Sequence, residues 1–169
     1  MMIRKSRKKI NKSRIILDIE TTGLSAESDD IIEISAIRID GRYNIQNEFH
    51  CYLRPRCKLS SLIKDLTGLT DNDLKDCVEF KDVKAEFLMF LGNDEIYAYG
   101  DLDRRFLKNN CYINNTFVDV LAIVRKRCTQ IQKFSFKNVC ANYSIKNLKP
   151  HSGTYDTIAL IQLMERLKI

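Results

Sequence analysis

Short apolar segments bounded by polar and glycine-containing turns predict four strands in this chain. These segments are rich in isoleucine and too short for ordinary helices, which favours strands. The Asp40-Gly41 dipeptide is a turn signal, so the second and third strands are expected to form a hairpin. The predicted strands cover residues 14–20, 31–39, 45–53 and 95–98.

Apolar residues at spacings of three and four predict helices through the rest of the chain. The run from Thr157 to Leu167 is amphipathic, and its apolar face belongs in a core. The other predicted helices cover residues 59–66, 71–75, 79–91, 102–109, 119–127 and 136–143. Strands followed by strand–helix units predict a three-layer α/β domain with a mixed sheet.

Two acidic residues, Asp18 and Glu20, lie at the end of the first predicted strand, directly before a Thr-Thr-Gly turn. Because alternate residues of a strand point to the same side, their side chains lie on one face, roughly 7 Å apart. Carboxylates at this separation can share divalent metal ions. The alternative is that both acids line the solvated side of an edge strand or cap the turn. An acid at the end of a buried strand is unfavourable unless it is paired or metal-bound, which favours a metal site.

Four segments, in this order, resemble the DnaQ-like exonucleases, the DEDDh group of the ribonuclease H-like superfamily. The segments are Ile16–Leu24, Ile31–Ile37, the Thr-Gly turn in Leu66–Thr70, and His151–Asp156. The resemblance runs from about residue 14 to the C-terminus. It implies an exonuclease domain over residues 14–169 with a ribonuclease H-like fold, in which helices flank a central mixed five-stranded sheet.

The resemblance further implies a metal-dependent 3′–5′ exonuclease that releases 5′-mononucleotides from the ends of single-stranded DNA or RNA. Four acids match the family's ligands and would hold two divalent ions, Mg²⁺ or Mn²⁺. They are Asp18, Glu20, Asp103 and Asp156. His151 matches the family's general base, and an imidazole with an ordinary pKa of about 6.5 accepts protons near neutral pH. Without the resemblance, a histidine on a loop is usually a solvated surface group.

The segment around the third ligand resembles two branches of the family. Its aromatic-Gly-Asp-x-Asp form is similar to the histone-mRNA and small-RNA exonucleases, whereas the opening segment is similar to the polymerase III proofreading subunit. Asp101 and Asp103 therefore compete for the third metal position. Asp101 follows Gly100 and precedes a helical pattern, as an N-cap residue does, so Asp103 is the favoured ligand and Asp101 the alternative.

Candidate substrate contacts follow from the same resemblance. Thr21, Thr22 and Leu24 match positions at which the family contacts the terminal nucleotide. Tyr99 replaces a family histidine and is a candidate to stack on a base. Each of these residues also has an ordinary structural explanation, as a turn residue, a core contact or a strand-end aromatic. His50 is interpreted as structural, because the sequence pairs it with no acid cluster.

Basic residues are unevenly distributed along the 169-residue chain, whose net charge is +6. Seven of the 28 basic residues lie in the first 14 positions, which hold no acid, so the remaining 21 are balanced by the 22 acidic residues. Residues 1–13 are therefore predicted to form a basic, flexible N-terminal arm.

The sequence also limits the setting in which the protein works. It contains no apolar run long enough for a signal peptide or a membrane span, so we expect a cytoplasmic protein without a membrane partner. The expected partners are a single-stranded 3′ end and, from the resemblance, a polymerase. DNA and RNA expose the same phosphodiester and both stay candidate substrates. A non-catalytic nucleic-acid-binding or interaction module with the same fold is the competing hypothesis.

Overall fold

The computed structural model describes residues 13–169, in which a five-stranded sheet forms the centre. The predicted arm over residues 1–13 thus lies outside the described residues, apart from Ser13. The strands are β1 (Arg14–Thr21), β2 (Ile31–Ile39), β3 (Ile45–Tyr52), β4 (Glu95–Ala98) and β5 (Phe117–Asp119). Their order across the sheet is β3-β2-β1-β4-β5. β2 pairs antiparallel with β1 and β3, whereas β4 is parallel to β1 and β5, so the sheet is mixed, as predicted.

Helices cover both faces of this sheet. They are α1 (Ser61–Thr67), α2 (Asp71–Leu74), α3 (Phe80–Leu91), α4 (Leu102–Asn110), α5 (Val120–Arg127), α6 (Phe136–Asn142) and α7 (Gly153–Leu167). On β1, Ile16 packs in the apolar cluster with α5, α6 and α7, whereas Ile15 and Leu17 pack in the cluster with α3 and α4. Burial on both sides explains the continuous apolar run of this strand and confirms the three-layer fold. None of the helices that the structure describes is both long and apolar enough to cross a membrane.

The fifth strand, β5, is the element that sequence periodicity did not locate. It has only three residues, each half-buried, which is too short for an alternating pattern to be recognised. Its last residue, Asp119, is also the N-cap of α5, where the carboxylate accepts a hydrogen bond from the Ala122 backbone at 3.2 Å. The same oxygen accepts from the Gly100 backbone at 3.0 Å and so links the ends of β4 and β5.

The predicted hairpin between β2 and β3 is confirmed. Asp40 stabilises its loop, because Oδ1 accepts hydrogen bonds from the backbone of Arg42 at 2.7 Å and of Asn44 at 3.0 Å. An aspartate that bonds backbone groups a few residues later is a common way of closing a turn. The loop is therefore built from residues 40–44 rather than from a two-residue turn.

The first turn of α7 packs directly against β2, and this packing positions the residues that α7 carries. A Cβ atom added at Gly153 would lie 2.8 Å from Cβ of Ser35 and 3.3 Å from Oε1 of Glu33. One turn later, the Thr157 hydroxyl lies 3.2 Å from the Ser35 hydroxyl. The close approach of helix and strand thus requires a glycine at the start of α7.

We expect Gly153→Ala to lower the free energy of unfolding by about 1–3 kcal/mol, because overpacking against β2 outweighs the higher helix propensity of alanine. Gln162→Ala, at an exposed position of α7, is the control and should change stability by less than about 0.5 kcal/mol. Urea denaturation followed by circular dichroism measures both. Wild-type stability of Gly153→Ala would show that the packing against β2 imposes no constraint.

Candidate active site

Three carboxylates from β1 and α7 come together at one edge of the sheet. Asp18 and Glu20 lie near the end of β1, and Asp156 lies in the first turn of α7. One carboxylate oxygen from each of the three lies within 4.8 Å of the other two. Such an arrangement allows one cation to contact all three residues.

Asp103, in the first turn of α4, lies beside these three acids. Its side chain is only 6% exposed, and Oδ1 accepts a hydrogen bond from the Ile19 backbone at 3.0 Å. Its charge raises the pKa of Asp18 more than any other neighbouring charge does. Asp101 is exposed instead, and its carboxylate accepts a hydrogen bond from Arg104 at 2.6 Å. The geometry favours Asp103 over Asp101 as the fourth member of the acid group, defined here as Asp18, Glu20, Asp103 and Asp156.

The sequence also predicted that Asp101 caps α4. Asp101 does occupy the N-cap position. Within residues 13–169, however, its side chain makes no capping hydrogen bond. The backbone of Asp101 has φ −106° and ψ −5°, instead of the extended angles usual at an N-cap, and its carboxylate is paired with Arg104, three positions later.

Burial makes the negative charges of the acid group unfavourable. Burial chiefly raises the pKa of Asp18 well above its ordinary value, and the charges of Asp103 and Glu20 raise it further. Burial also raises the pKa of Glu20 to about 8 and that of Asp103 to about 7. The pKa of Asp156 is raised for the same reason.

The acid group fits a divalent metal ion. Oδ2 of Asp18 is buried and has no hydrogen-bond partner within residues 13–169. A buried, unpartnered carboxylate oxygen is unfavourable unless a cation reaches it. All the available donors are carboxylate oxygens, which suit Mg²⁺ and Mn²⁺. Asp18, Glu20 and Asp156 are close enough to hold one such ion together, with Asp103 at their side.

Two groups hold the carboxylate of Asp156 in place. Oδ1 accepts a hydrogen bond from the side-chain amide of Asn147, and Oδ2 accepts one from the His151 backbone at 2.9 Å. His151 has a φ of +61°, and its exposed side chain lines the same groove as the acid group. The sequence related His151 to Asp156 through their spacing, and the structure brings both residues together. Asn147 belongs to no motif and was not found from the sequence.

A fifth acid, Glu33 on β2, lies behind the acid group and was also missed. Its side chain is almost fully buried, and it stands opposite Glu20 in the pairing of β1 with β2. Its charge contributes to the raised pKa values of Glu20 and Asp156. His50 on β3 lies with Nε2 2.8 Å from Oε1 of Glu33.

His50 was interpreted as structural because the sequence pairs it with no acid cluster. That reason was wrong, since Glu33 is its partner, whereas the structural interpretation itself stays a prediction. His50 stands opposite Ser35 in the pairing of β2 with β3, which places it diagonally across from Glu33. Diagonal neighbours on antiparallel strands are within reach of long side chains. Alternation along β2, combined with the correct hairpin register, is the signal that could have revealed this pair.

The predicted substrate contacts are distributed around the site. Tyr99 lines the groove, and its hydroxyl donates a hydrogen bond to the Phe134 carbonyl at 2.8 Å. The hydroxyl of Thr21 donates to the Gly23 carbonyl at 2.6 Å, so it stabilises the turn after β1. The Thr22 hydroxyl accepts from the Asp30 backbone at 2.9 Å. The Leu24 side chain, in contrast, is 75% exposed.

Comparison with known proteins assigns the family. The family model RNase_T, described as Exonuclease, matches residues 15–164. The chain belongs to this exonuclease family. The exonuclease domain is 32% identical over 160 residues to the DNA polymerase III PolC-type protein of Oceanobacillus iheyensis, and 31% identical over 162 residues to that of Bacillus subtilis. In both cases the match covers 90% of this chain and 11% of the relative, so the domain spans a small part of those proteins.

Solved structures share the fold of the exonuclease domain. Escherichia coli exonuclease I, in complex with a dT13 oligonucleotide, gives a TM-score of 0.79 at 18% identity, over 93% of this chain and 41% of that chain. The nuclease domain of 3′hExo, a DEDDh family member bound to rAMP, gives a TM-score of 0.81 at 17% identity. This match covers 95% of this chain and 93% of that chain. These similarities confirm the predicted ribonuclease H-like fold. The match to the exonuclease family, together with the PolC-type relatives, confirms the predicted DnaQ-like family.

We expect the free energy of unfolding of the metal-free exonuclease domain to fall as the pH rises from about 5 to about 8. Raised pKa values mean that the folded state binds protons more tightly than the unfolded chain. The stabilisation by protonated Glu20 and Asp103 is therefore complete below their ordinary pKa values and is lost as the pH rises through about 7 and 8. Urea denaturation in EDTA at a series of pH values measures this trend.

Two variants and metal addition control this measurement. Asp18→Asn should flatten the pH dependence, whereas Asp101→Asn, outside the acid group, should retain most of it, because burial and not the charge of Asp101 is the main cause of the raised pKa of Asp103. Mg²⁺ or Mn²⁺ added at the upper pH should restore stability, because it binds the folded state. A stability that is independent of pH in EDTA would contradict the raised pKa values that burial and, to a lesser extent, mutual repulsion give these acids.

Proposed function

We propose that this domain is a divalent-metal-dependent 3′–5′ exonuclease that releases 5′-mononucleotides from the ends of single-stranded DNA or RNA. The observation that carries the proposal is the acid group, in which three carboxylates approach within 4.8 Å and a fourth is buried beside them. Family membership supports it, as does a fold shared with exonucleases whose structures contain dT13 or rAMP. Clustered carboxylates of this kind suit the hydrolysis of phosphodiesters.

The acid group would hold two divalent ions, Mg²⁺ or Mn²⁺. When bound, such ions supply Lewis acidity toward the scissile phosphate. The contribution of the protein is to keep the carboxylates in fixed orientations. The Ile19 backbone orients Asp103, while Asn147 and the His151 backbone orient Asp156. Preorganised groups need no rearrangement when charge develops in the transition state.

His151 is proposed to move the proton of the reaction. Its neutral imidazole would take a proton from the attacking water while the water oxygen bonds to phosphorus. The bond from phosphorus to the 3′ oxygen then breaks. This oxygen takes a proton from solvent and becomes the 3′-hydroxyl of the shortened strand, while the 5′-mononucleotide leaves. The location of His151 supports this role, because the side chain is exposed in the groove and the backbone is anchored to Asp156.

Four residues are proposed to contact the substrate, and three of them, Thr21, Thr22 and Leu24, would contact the terminal nucleotide. Leu24 offers an exposed apolar side chain to a base. Thr21 and Thr22 use their hydroxyls within the turn, so backbone groups would make their contacts. Tyr99 presents its ring to the groove while its hydroxyl is bonded to Phe134.

A polymerase is proposed as a partner, and a cytoplasmic location is expected with it, because the curated relatives are DNA polymerase III proteins of the PolC type.

The competing hypothesis is a non-catalytic nucleic-acid-binding or interaction module with the same fold. That hypothesis does not explain why buried acids lie so close together, since the repulsion among them is unfavourable without a bound cation.

The domain should shorten end-labelled single-stranded DNA and RNA from the 3′ end with Mg²⁺ and not with EDTA. Asp18→Ala and Asp103→Asn should each lower kcat by more than about 100-fold, since even residues behind a metal's ligands contribute roughly 10–100-fold. Asp101→Asn is the matched control and should shorten both substrates at close to the wild-type rate. Undiminished shortening in EDTA or by Asp18→Ala would refute the metal-dependent mechanism. Comparison of the wild-type rates on DNA and on RNA identifies the preferred nucleic acid.

His151→Ala should lower kcat by about 10²–10⁴-fold, which is the usual contribution of a general base. Mn²⁺ binding, measured by isothermal titration calorimetry, should survive, because the backbone N–H that supports Asp156 is retained in alanine. Equal losses of turnover and metal binding would show that the imidazole acts on the metal site and not on the proton.

A further inference from the structure

The groove that contains the acid group has a second wall with a different chemical character. Five residues form it, directly after β4, on α6 and on the loop that follows α6. They are Tyr99, Phe136, Lys137, Lys146 and Leu148, and are called here the α6 wall. The whole groove encloses about 890 Å³. This volume is near the upper end of the range of about 300–1,000 Å³ for small-ligand sites, so the groove extends well beyond the acid group.

The aromatic part of the α6 wall is held in a fixed position. The rings of Tyr99 and Phe136 have their centroids 4.7 Å apart, with their planes inclined at 48°. The hydrogen bond from the Tyr99 hydroxyl to the Phe134 carbonyl fixes one side of this pair. Both residues are only half-buried, and Leu148 nearby is 78% exposed. The wall therefore presents an aromatic and apolar surface to the groove.

The basic part of the α6 wall is free to bind an anion. Lys137 and Lys146 are both exposed and line the groove. Within residues 13–169, the salt bridges are formed by other basic residues, among them Arg104, Lys64 and Lys81. Two unpaired ammonium groups beside an aromatic surface match the phosphates and bases of an unpaired nucleic acid strand.

We propose that the α6 wall binds the nucleotide on the 5′ side of the scissile phosphate, with Phe136 against its base and with Lys137 and Lys146 against backbone phosphates. This inference rests on the proposed function, since it assigns the part of the strand that stays bound when the terminal nucleotide leaves. Stacking on Phe136 requires an exposed base face, so the wall selects an unpaired strand over the end of a duplex.

Two substrates distinguish the contribution of the α6 wall from that of the acid group. A single-stranded oligonucleotide would occupy both, whereas the p-nitrophenyl ester of thymidine 5′-monophosphate, with one nucleotide, would occupy only the acid group and its surroundings. For Phe136→Ala, the ratio of kcat/KM for the oligonucleotide to kcat/KM for the ester should fall about tenfold, as expected for the loss of one stacked base. The fall should appear mainly in KM for the oligonucleotide.

The lysines are tested by the salt dependence of the reaction. For Lys137→Gln and Lys146→Gln, the plot of log kcat/KM for the oligonucleotide against log salt concentration should become less steep. The expected change in slope is about 0.7 for each phosphate that the variant no longer neutralises. Lys149→Gln is the matched control, because this lysine is exposed on the same loop and does not line the groove. It should keep the wild-type slope.

The outcomes distinguish this inference from the proposed function. Equal losses on both substrates, or wild-type ratios and slopes in all three wall variants, would overturn the role of the wall. Hydrolysis of neither substrate by the wild type would contradict the proposed function instead. In that case, fluorescence anisotropy would measure the affinity of the protein for a labelled oligonucleotide in the presence of Mg²⁺. Wild-type affinity in both Lys137→Gln and Lys146→Gln would overturn the proposed role of the α6 wall. Because these lysines are exposed, their variants keep the test valid if Phe136→Ala fails to fold.

Discussion

The burial of several carboxylates at the end of β1 is the constraint on which the rest of the site depends. Each charge disfavours the others, and burial removes the water that would otherwise screen them. The structure supports most of these acids individually. The supports are Ile19 for Asp103, Asn147 and His151 for Asp156, and His50 for Glu33. Polar contacts therefore join β1, β2, α4 and α7 at this edge, in addition to the apolar clusters on the two faces of the sheet.

Much of the fold could be predicted because its central strands are covered on both faces. β1 and β2 are buried on both sides and therefore appear in the sequence as nearly continuous aliphatic runs. β5 could not be located in the same way, since a three-residue strand is defined by its partner β4 and not by its own pattern. The dual role of Asp119, as strand end and helix cap, also hid the boundary between β5 and α5.

The predictability of the site follows the distance along the chain between cooperating residues. Asp18 and Glu20 share one strand, and His151 lies five positions from Asp156, so local spacing suggested both pairs. Glu33 and His50 are 17 positions apart and meet only through the register of β2 with β3. Asn147 reaches Asp156 from a loop without regular structure, and nothing in its sequence neighbourhood indicates this hydrogen bond.

The hydrogen bond from the His151 backbone to Asp156 closes a small ring of main chain at the start of α7. An imidazole on an unanchored loop would sample many positions relative to the helix. Here the peptide group that carries the imidazole is tethered to a carboxylate of the first helical turn, and that turn is itself pressed against β2. The backbone of His151, whose imidazole is the proposed proton acceptor, is thus tied directly to the acid, which limits how far the loop can move relative to Asp156.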